Sequence, residues 1–450
     1  PTRRSSDLRF GGPKVSAGAG RPQIVYPNTE TRFPRNIYKQ LFQWVANGGD
    51  TYRVTFTGPG STVQVYTDGV HPLCAGKNPA AACWESDAAG WTFIASSNAG
   101  GTVQVKVESV KPSDPNVYAS DQITIGFSRR DVAGAIFYWS TTAKGVRRAN
   151  VSDAAPEGYV VAAPVATVLP LPGPGGQTVQ CVACHTVSRS GQKMLGGTQT
   201  SLAKGMFVYD VELSPPPTNV ASPLTAQFRE FGTFSPDDSR VLMSNTGKLE
   251  LYDAATRALL DANVLAGKSL TPGGPQVLGT QPDWSPDGSR VAFATGSGEK
   301  PASATSIAVV SHAGGAWGAV TAVAAALAGG ATRYNLYPSF SPFGDWIAYT
   351  RANSAAHGDA TAQLFLARAD GTTPSGVELI RANRWLNNQV TTGQYQNYAP
   401  TWAPPGDYHW VAFNSLRPYG VVYPTGGTQQ IWVAAVDLSR APGADPSYPA

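Results

Sequence analysis

The chain has 450 residues, with 34 Lys and Arg against 30 Asp and Glu and a formal net charge of +4. Only 14% of its residues are charged and no basic block or stripe occurs, which argues against a nucleic-acid partner. No run of 18 apolar residues is present, so the sequence offers no membrane-spanning helix, and its 48 Gly and 36 Pro suit an all-β chain of short strands and tight turns.

In chain order, residues 1–8 (Pro-Thr-Arg-Arg-Ser-Ser-Asp-Leu) read as a translated sequencing adapter. Residues 1–20 are therefore set apart as a non-native or linker segment, and a signal peptide is expected to be missing from the fragment. Residues 21–152 carry alternating strands at Tyr52–Phe56, Val63–Tyr66, Thr102–Val107, Gln122–Phe127 and Ala135–Trp139. That pattern predicts a β-sandwich of immunoglobulin or fibronectin-like type. Cys74 and Cys83, nine positions apart in a loop, can close a small disulfide. Residues 153–175, rich in Pro, Ala and Gly, predict a linker.

Next comes Cys181-Val182-Ala183-Cys184-His185. This is C-x-x-C-H, the attachment signature of c-type haem. Two thiols at that spacing reach the two vinyl groups of one porphyrin edge, and His185 places an imidazole on the iron as proximal ligand. The competing readings are a C-x-x-C disulfide with an incidental His, a zinc half-site, and a thioredoxin-like motif. No second Cys/His pair completes a zinc site, and Thr178-Val179-Gln180 reads as strand or loop rather than helix. The expectation is one covalent haem c. With the Cys74–Cys83 disulfide it implies an oxidising, periplasmic or extracellular location.

Residues 176–450 repeat. Val187-Ser188-Arg189-Ser190-Gly191, Phe234-Ser235-Pro236-Asp237-Asp238, Trp284-Ser285-Pro286-Asp287-Gly288 and Phe340-Ser341-Pro342-Phe343-Gly344 follow one another, with a looser copy at Trp402-Ala403-Pro404-Pro405-Gly406. Each is a strand end, a tight turn and a second alternating strand such as Arg290–Phe293. A third strand follows in each unit, for example Leu249–Asp253 or Gln363–Leu366. Such units are propeller blades. The turn motif resembles the Pro-Asp repeat of TolB-like propellers over residues 176–440. The resemblance implies six blades, of which five are visible. The sixth is either cut off at a truncated C-terminus or completed by the strand-rich segment between Val160 and Leu171. In that family's blade the turn joins the first two strands, which implies that the haem motif lies in the connection before the first strand. It would then face the channel mouth.

The distal iron ligand is left open. His357, on the expected haem face, and His71, in the sandwich, are the candidates. Met194 and Met206 align with Val241, Val291 and Leu249, which are core positions of the repeat, and so are less favoured. His312 and His409 fall at the opposite face. A five-coordinate iron is the remaining option. Three functions follow: an electron-transfer or redox protein with a protein partner, a non-haem protein-binding scaffold, and a haem-dependent oxidoreductase with an open iron site. No Ser/His/Asp or paired-carboxylate constellation stands out, because Asp237, Asp287 and Asp345 are turn formers.

Overall fold

The computed structural model describes residues 9–450 apart from 78–79, 141–144, 152–158, 163–167, 170–176, 201–203, 212–223, 226, 228, 327–333, 356–357, 385–395, 425–426 and 428. The fold is nearly all β, a sandwich followed by a propeller.

In the sandwich, Thr51–Thr57, Thr62–Thr67, Thr102–Lys111, Asp114–Ala119 and Ile123–Phe127 form one sheet, with the short parallel strands Lys14–Val15 and Arg32–Phe33. Gln23–Tyr26, Leu41–Val45 and Ala81–Glu85 form the other. Alternation does the work: Tyr52, Val54 and Phe56 point inward, as do Val103, Val105 and Val107, and all six are sealed from solvent. Phe42 and Trp44 of the second sheet meet them. The sequence reading contained no helix here. Ala88–Ser97 is one, started by Asp87, whose carboxylate accepts from the Gly90 N–H at 2.7 Å, and it seats Trp91 and Ile94 in the core.

Six further sheets follow among the described residues. Blade 1 is Ala135–Ser140, Gly145–Asn150 and Tyr159–Ala162; blade 2 is Gln177–Val187, Lys193–Thr200 and Lys204–Asp210, with the short Val168–Leu169 paired to its first strand. Blade 3 spans Gly232–Asp261, blade 4 Gly279–Ala324, blade 5 Tyr334–Glu378 and blade 6 Tyr398–Val436. All are antiparallel meanders. The strand ahead of each turn, the leading strand, packs onto the first strands of the preceding sheet, from blade 1 through blade 6.

The position of Ala135–Trp139 corrects the predicted boundary. Its alternation would suit either domain, but its hydrogen-bonded partner is Gly145–Asn150 and not a sandwich strand, so it leads blade 1. Tyr159–Ala162 and Val168–Leu169, inside the predicted linker, are strands of blades 1 and 2. The ring closes where Val132, just before blade 1, packs with Trp410 and Ala435 of blade 6. The Asp407 carboxylate accepts from the Arg129 N–H at the same seam. No helix among the described residues is long and apolar enough to cross a membrane.

Candidate haem site

The leading strands share a local irregularity. In blades 4, 5 and 6 two residues oppose one across the ladder, a β-bulge: Gln281-Pro282 opposite Phe293, Tyr337-Pro338 opposite Tyr349, Ala399-Pro400 opposite Phe413. The first residue of each pair has positive φ, 55°, 53° and 53°. Bulges re-aim side chains, and Tyr337 at the blade 5 bulge meets Phe231, just ahead of blade 3, edge-on with ring centroids 5.9 Å apart.

Blade 2 carries the same bulge with different residues. Its ladder shifts register between Ala183 and Thr186, so that Cys184-His185 opposes Gly196. His185 thus stands where blades 4, 5 and 6 have Pro282, Pro338 and Pro400 and blade 3 has Gly232. Gly196 stands where blades 4, 5 and 6 have Phe293, Tyr349 and Phe413. Gly196 is followed by Gly197, the ladder partner of Ala183. Blade 2 therefore lacks a ring on the cross-strand position facing its C-x-x-C-H sequence, and so does blade 3, where Met243 pairs with Gly232.

This corrects the expected position of the motif. It does not lie in a connection before the leading strand but within Gln177–Val187 itself. The strand is longer at its N-terminal end than its equivalents, because Val179–Ala183 continue to pair with Gly197–Thr200. The His185 side chain reaches the backbone of Phe137 in blade 1, so it is set between blades 1 and 2. Burial pushes the imidazole below its usual pKa, and the hydrogen bond to Phe137 partly opposes this. An imidazole donating one N–H to a backbone carbonyl has its tautomer fixed and its other nitrogen available as a ligand.

The other candidates fall as follows. Met194 and Met206 are both fully buried, Met206 among Leu195, Phe234 and Val241. His71 sits in the loop of the Cys74–Cys83 disulfide, where its Nδ1 accepts from the Leu73 N–H at 3.3 Å. His357 lies outside the described residues. His312 packs on Trp317 with centroids 4.5 Å apart and meets the Gly288 carbonyl at 3.1 Å, and His409 packs on Trp402 and Phe343, all at the turn end of the blades. Among the described residues no three His, Cys, Asp or Glu side chains converge on one point.

No protein-family model matches the chain, and no curated protein matches it in sequence. In structure it is similar to hydrazine synthase of Kuenenia stuttgartiensis, at 11% identity and a TM-score of 0.36 over 63% of this chain and 73% of that one. It is also similar to the Swd1 β-propeller domain of Myceliophteria thermophila, at 11% identity and 0.36 over 74% and 90%. An auxiliary nutrient binding protein from Bacteroides thetaiotaomicron aligns at 8% identity and 0.38 over 92% and 98%. Likenesses this remote bear on no activity.

Sequence reasoning found the motif but not its setting. The signal for the setting was present: aligned on the turn, His185 replaces a repeated Pro and Gly196 a repeated aromatic. Seeing it required the cross-strand register.

Proposed function

We propose that the chain carries one covalent haem c at the blade 2 bulge and serves as an extracytoplasmic electron-transfer protein with a protein redox partner. The observation that carries this reading is the paired exchange at one register position, His185 for proline and Gly196 for an aromatic ring. A group with a flat face beside His185 needs the space that Phe293, Tyr349 or Phe413 fills in blades 4, 5 and 6. The residues fit the group: Cys181 and Cys184 would anchor the porphyrin, and His185, oriented by the Phe137 carbonyl, would hold the iron. When bound, a haem supplies one-electron chemistry at a potential set by burial and by hydrogen bonds around its ligands. The Cys74–Cys83 disulfide supports an oxidising compartment.

Expression in an oxidising compartment with a haem-lyase system tests the reading. One haem per chain is expected by pyridine haemochrome assay, surviving acid–organic extraction and lost in Cys181→Ala/Cys184→Ala. A chain that never takes up haem leaves the protein-binding scaffold. A high-spin spectrum unchanged by His71→Ala or His357→Ala marks an open iron site and favours the oxidoreductase.

A further inference from the structure

Blade 1 has two faces, and strand alternation assigns its residues to them. Ile136 lines the seam with Trp432 and Val433 of blade 6, so Phe137 and Trp139 look the other way, toward blade 2. Their ladder partners, Arg148 and Val146, share that face. In blade 2, Leu195 packs with Phe234 and Val241 of blade 3, so Gly196 looks back toward blade 1. His185 enters the same gap, since its side chain reaches the Phe137 backbone. Arg148 is thereby brought beside the C-x-x-C-H strand, with its guanidinium carbon 5.7 Å from the centroid of the Phe137 ring.

Arg148 has no counter-charge. It is half-buried, its Nε is sealed from solvent without an acceptor, and no carboxylate pairs with it among the described residues. The strands of blades 1 and 2 hold one acid, Asp210, and Lys193 takes it at 3.0 Å. Arginines of the later blades are matched. Arg229 pairs with Glu250 at 2.8 Å. Arg351 donates to the Asn335 Oδ1 at 2.9 Å, the Ser375 carbonyl at 3.0 Å and the Tyr349 hydroxyl at 2.8 Å. A half-buried guanidinium left alone is costly, so the position calls for an anion.

The geometry points to Arg148 as the residue that pairs with a haem propionate, an inference that rests on the haem reading above. A haem c held by the motif strand carries two carboxylates, and a guanidinium can meet a carboxylate with two parallel N–H bonds. Arg147, the ladder partner of Tyr138, belongs to the opposite face of blade 1. The charge also acts on the iron: a cation held near the porphyrin favours the ferrous state, which carries one more electron.

Resonance Raman spectroscopy and a redox titration of the haem-loaded chain test this. In Arg148→Met the propionate bending mode is expected to shift, and the ferrous-to-ferric ratio at a fixed poise to fall at least about threefold, as the loss of a nearby charge requires. Arg148→Lys keeps the charge and should restore most of that ratio. An unmoved propionate mode in Arg148→Met overturns the proposal even if the ratio falls, because a charge acting through space needs no bond. An unchanged ratio, or a ratio in Arg148→Lys as low as in Arg148→Met, overturns it as well. Should Arg148→Met fail to fold or to load, Arg148→Gln removes the charge with a polar side chain, and the same two shifts are expected there. A wild-type chain that takes up no haem overturns the haem reading and this inference with it. A loaded wild type whose variants leave either readout unmoved overturns the pairing alone.

Discussion

At the scale of single residues, the decisive position is Gly196. In three other blades an aromatic side chain occupies this rung, and Phe293, Tyr349 and Phe413 are each 2% exposed or less. Gly196→Phe gives blade 2 the pattern of blades 4, 5 and 6. The expected outcome is a folded chain, with unchanged circular dichroism, that stains for haem at under about a tenth of the wild-type level. Full haem loading in Gly196→Phe would falsify the role given to this glycine. Pro282, Pro338 and Pro400 supply the complementary test. His185→Pro should fold normally, since proline is native to this bulge, and should give no haem spectrum with a low-spin band. Asp283 shows the cost of a charge on the same strand. Burial pushes its carboxyl above the usual range, while Arg189 and the Phe340 N–H, 2.6 Å away, act against the shift. A raised folded-state pKa means that the folded chain holds the proton longer than the unfolded one. Stability contributed by this group is present below about pH 4 and declines as pH rises through the folded pKa. Asp283→Asn should flatten that part of the curve of Tm against pH, because the amide oxygen still accepts from Phe340.

At the scale of elements, the turn after each leading strand holds the blade together. Ser285 donates to Asp287 at 2.6 Å, Ser289 donates to the same carboxylate at 2.7 Å, and the Arg290 N–H returns to the Ser285 hydroxyl at 2.9 Å. Burial alone would raise the Asp287 carboxyl, but these hydroxyl donors and the Arg290 charge outweigh it and hold the group down at about 2. A depressed pKa places the sign the other way from Asp283: the contribution is complete above about pH 4 and is lost as pH falls toward 2. Asp287→Ala should lower stability at pH 7 by about 1 kcal/mol, the worth of a few exposed turn hydrogen bonds, and the difference from wild type should close near pH 2 in urea melts. The repeat was legible in the sequence because these turns need Ser, Pro, Asp and Gly at fixed places, and a turn leaves the same letters wherever it occurs. Blade 1 was not legible as a blade. Its first hairpin has no Ser-Pro-Asp turn, and Ala-Ile-Phe-Tyr-Trp alternates as a sandwich strand would. The bulge was hidden for a different reason: it exists only in the pairing of two strands, so neither strand announces it alone. The interblade hydrogen bonds were equally silent, as with the Thr233 hydroxyl accepting from the Trp284 N–H at 3.2 Å.

At the scale of the whole molecule, the sandwich spans the seam of the ring. Gln43, fully buried in the sandwich, accepts from the Val421 and Val422 N–H groups beyond blade 6 at 2.9 and 3.3 Å. The disulfide loop packs on the same two valines. Tyr26 meets Tyr419 and Trp432 edge-on at 4.9 and 6.2 Å. Gln43→Leu leaves two buried N–H groups without an acceptor and should cost about 1–3 kcal/mol. Because the loss falls between domains, calorimetry should then resolve two transitions where wild type gives one. The Gln43 contacts join residues 378 and 379 positions apart. Contacts between such distant parts of a chain form late, since the closure entropy must be met before the contact rewards it. The order of assembly follows. The strand holding Cys181 and Cys184 is complete long before the seam can shut, and the unsealed ring is the state in which a maturation enzyme can reach an interior strand. In a pulse-chase experiment the haem stain should appear before the chain becomes resistant to protease, and the reverse order would mean that the motif is accessible in the finished ring.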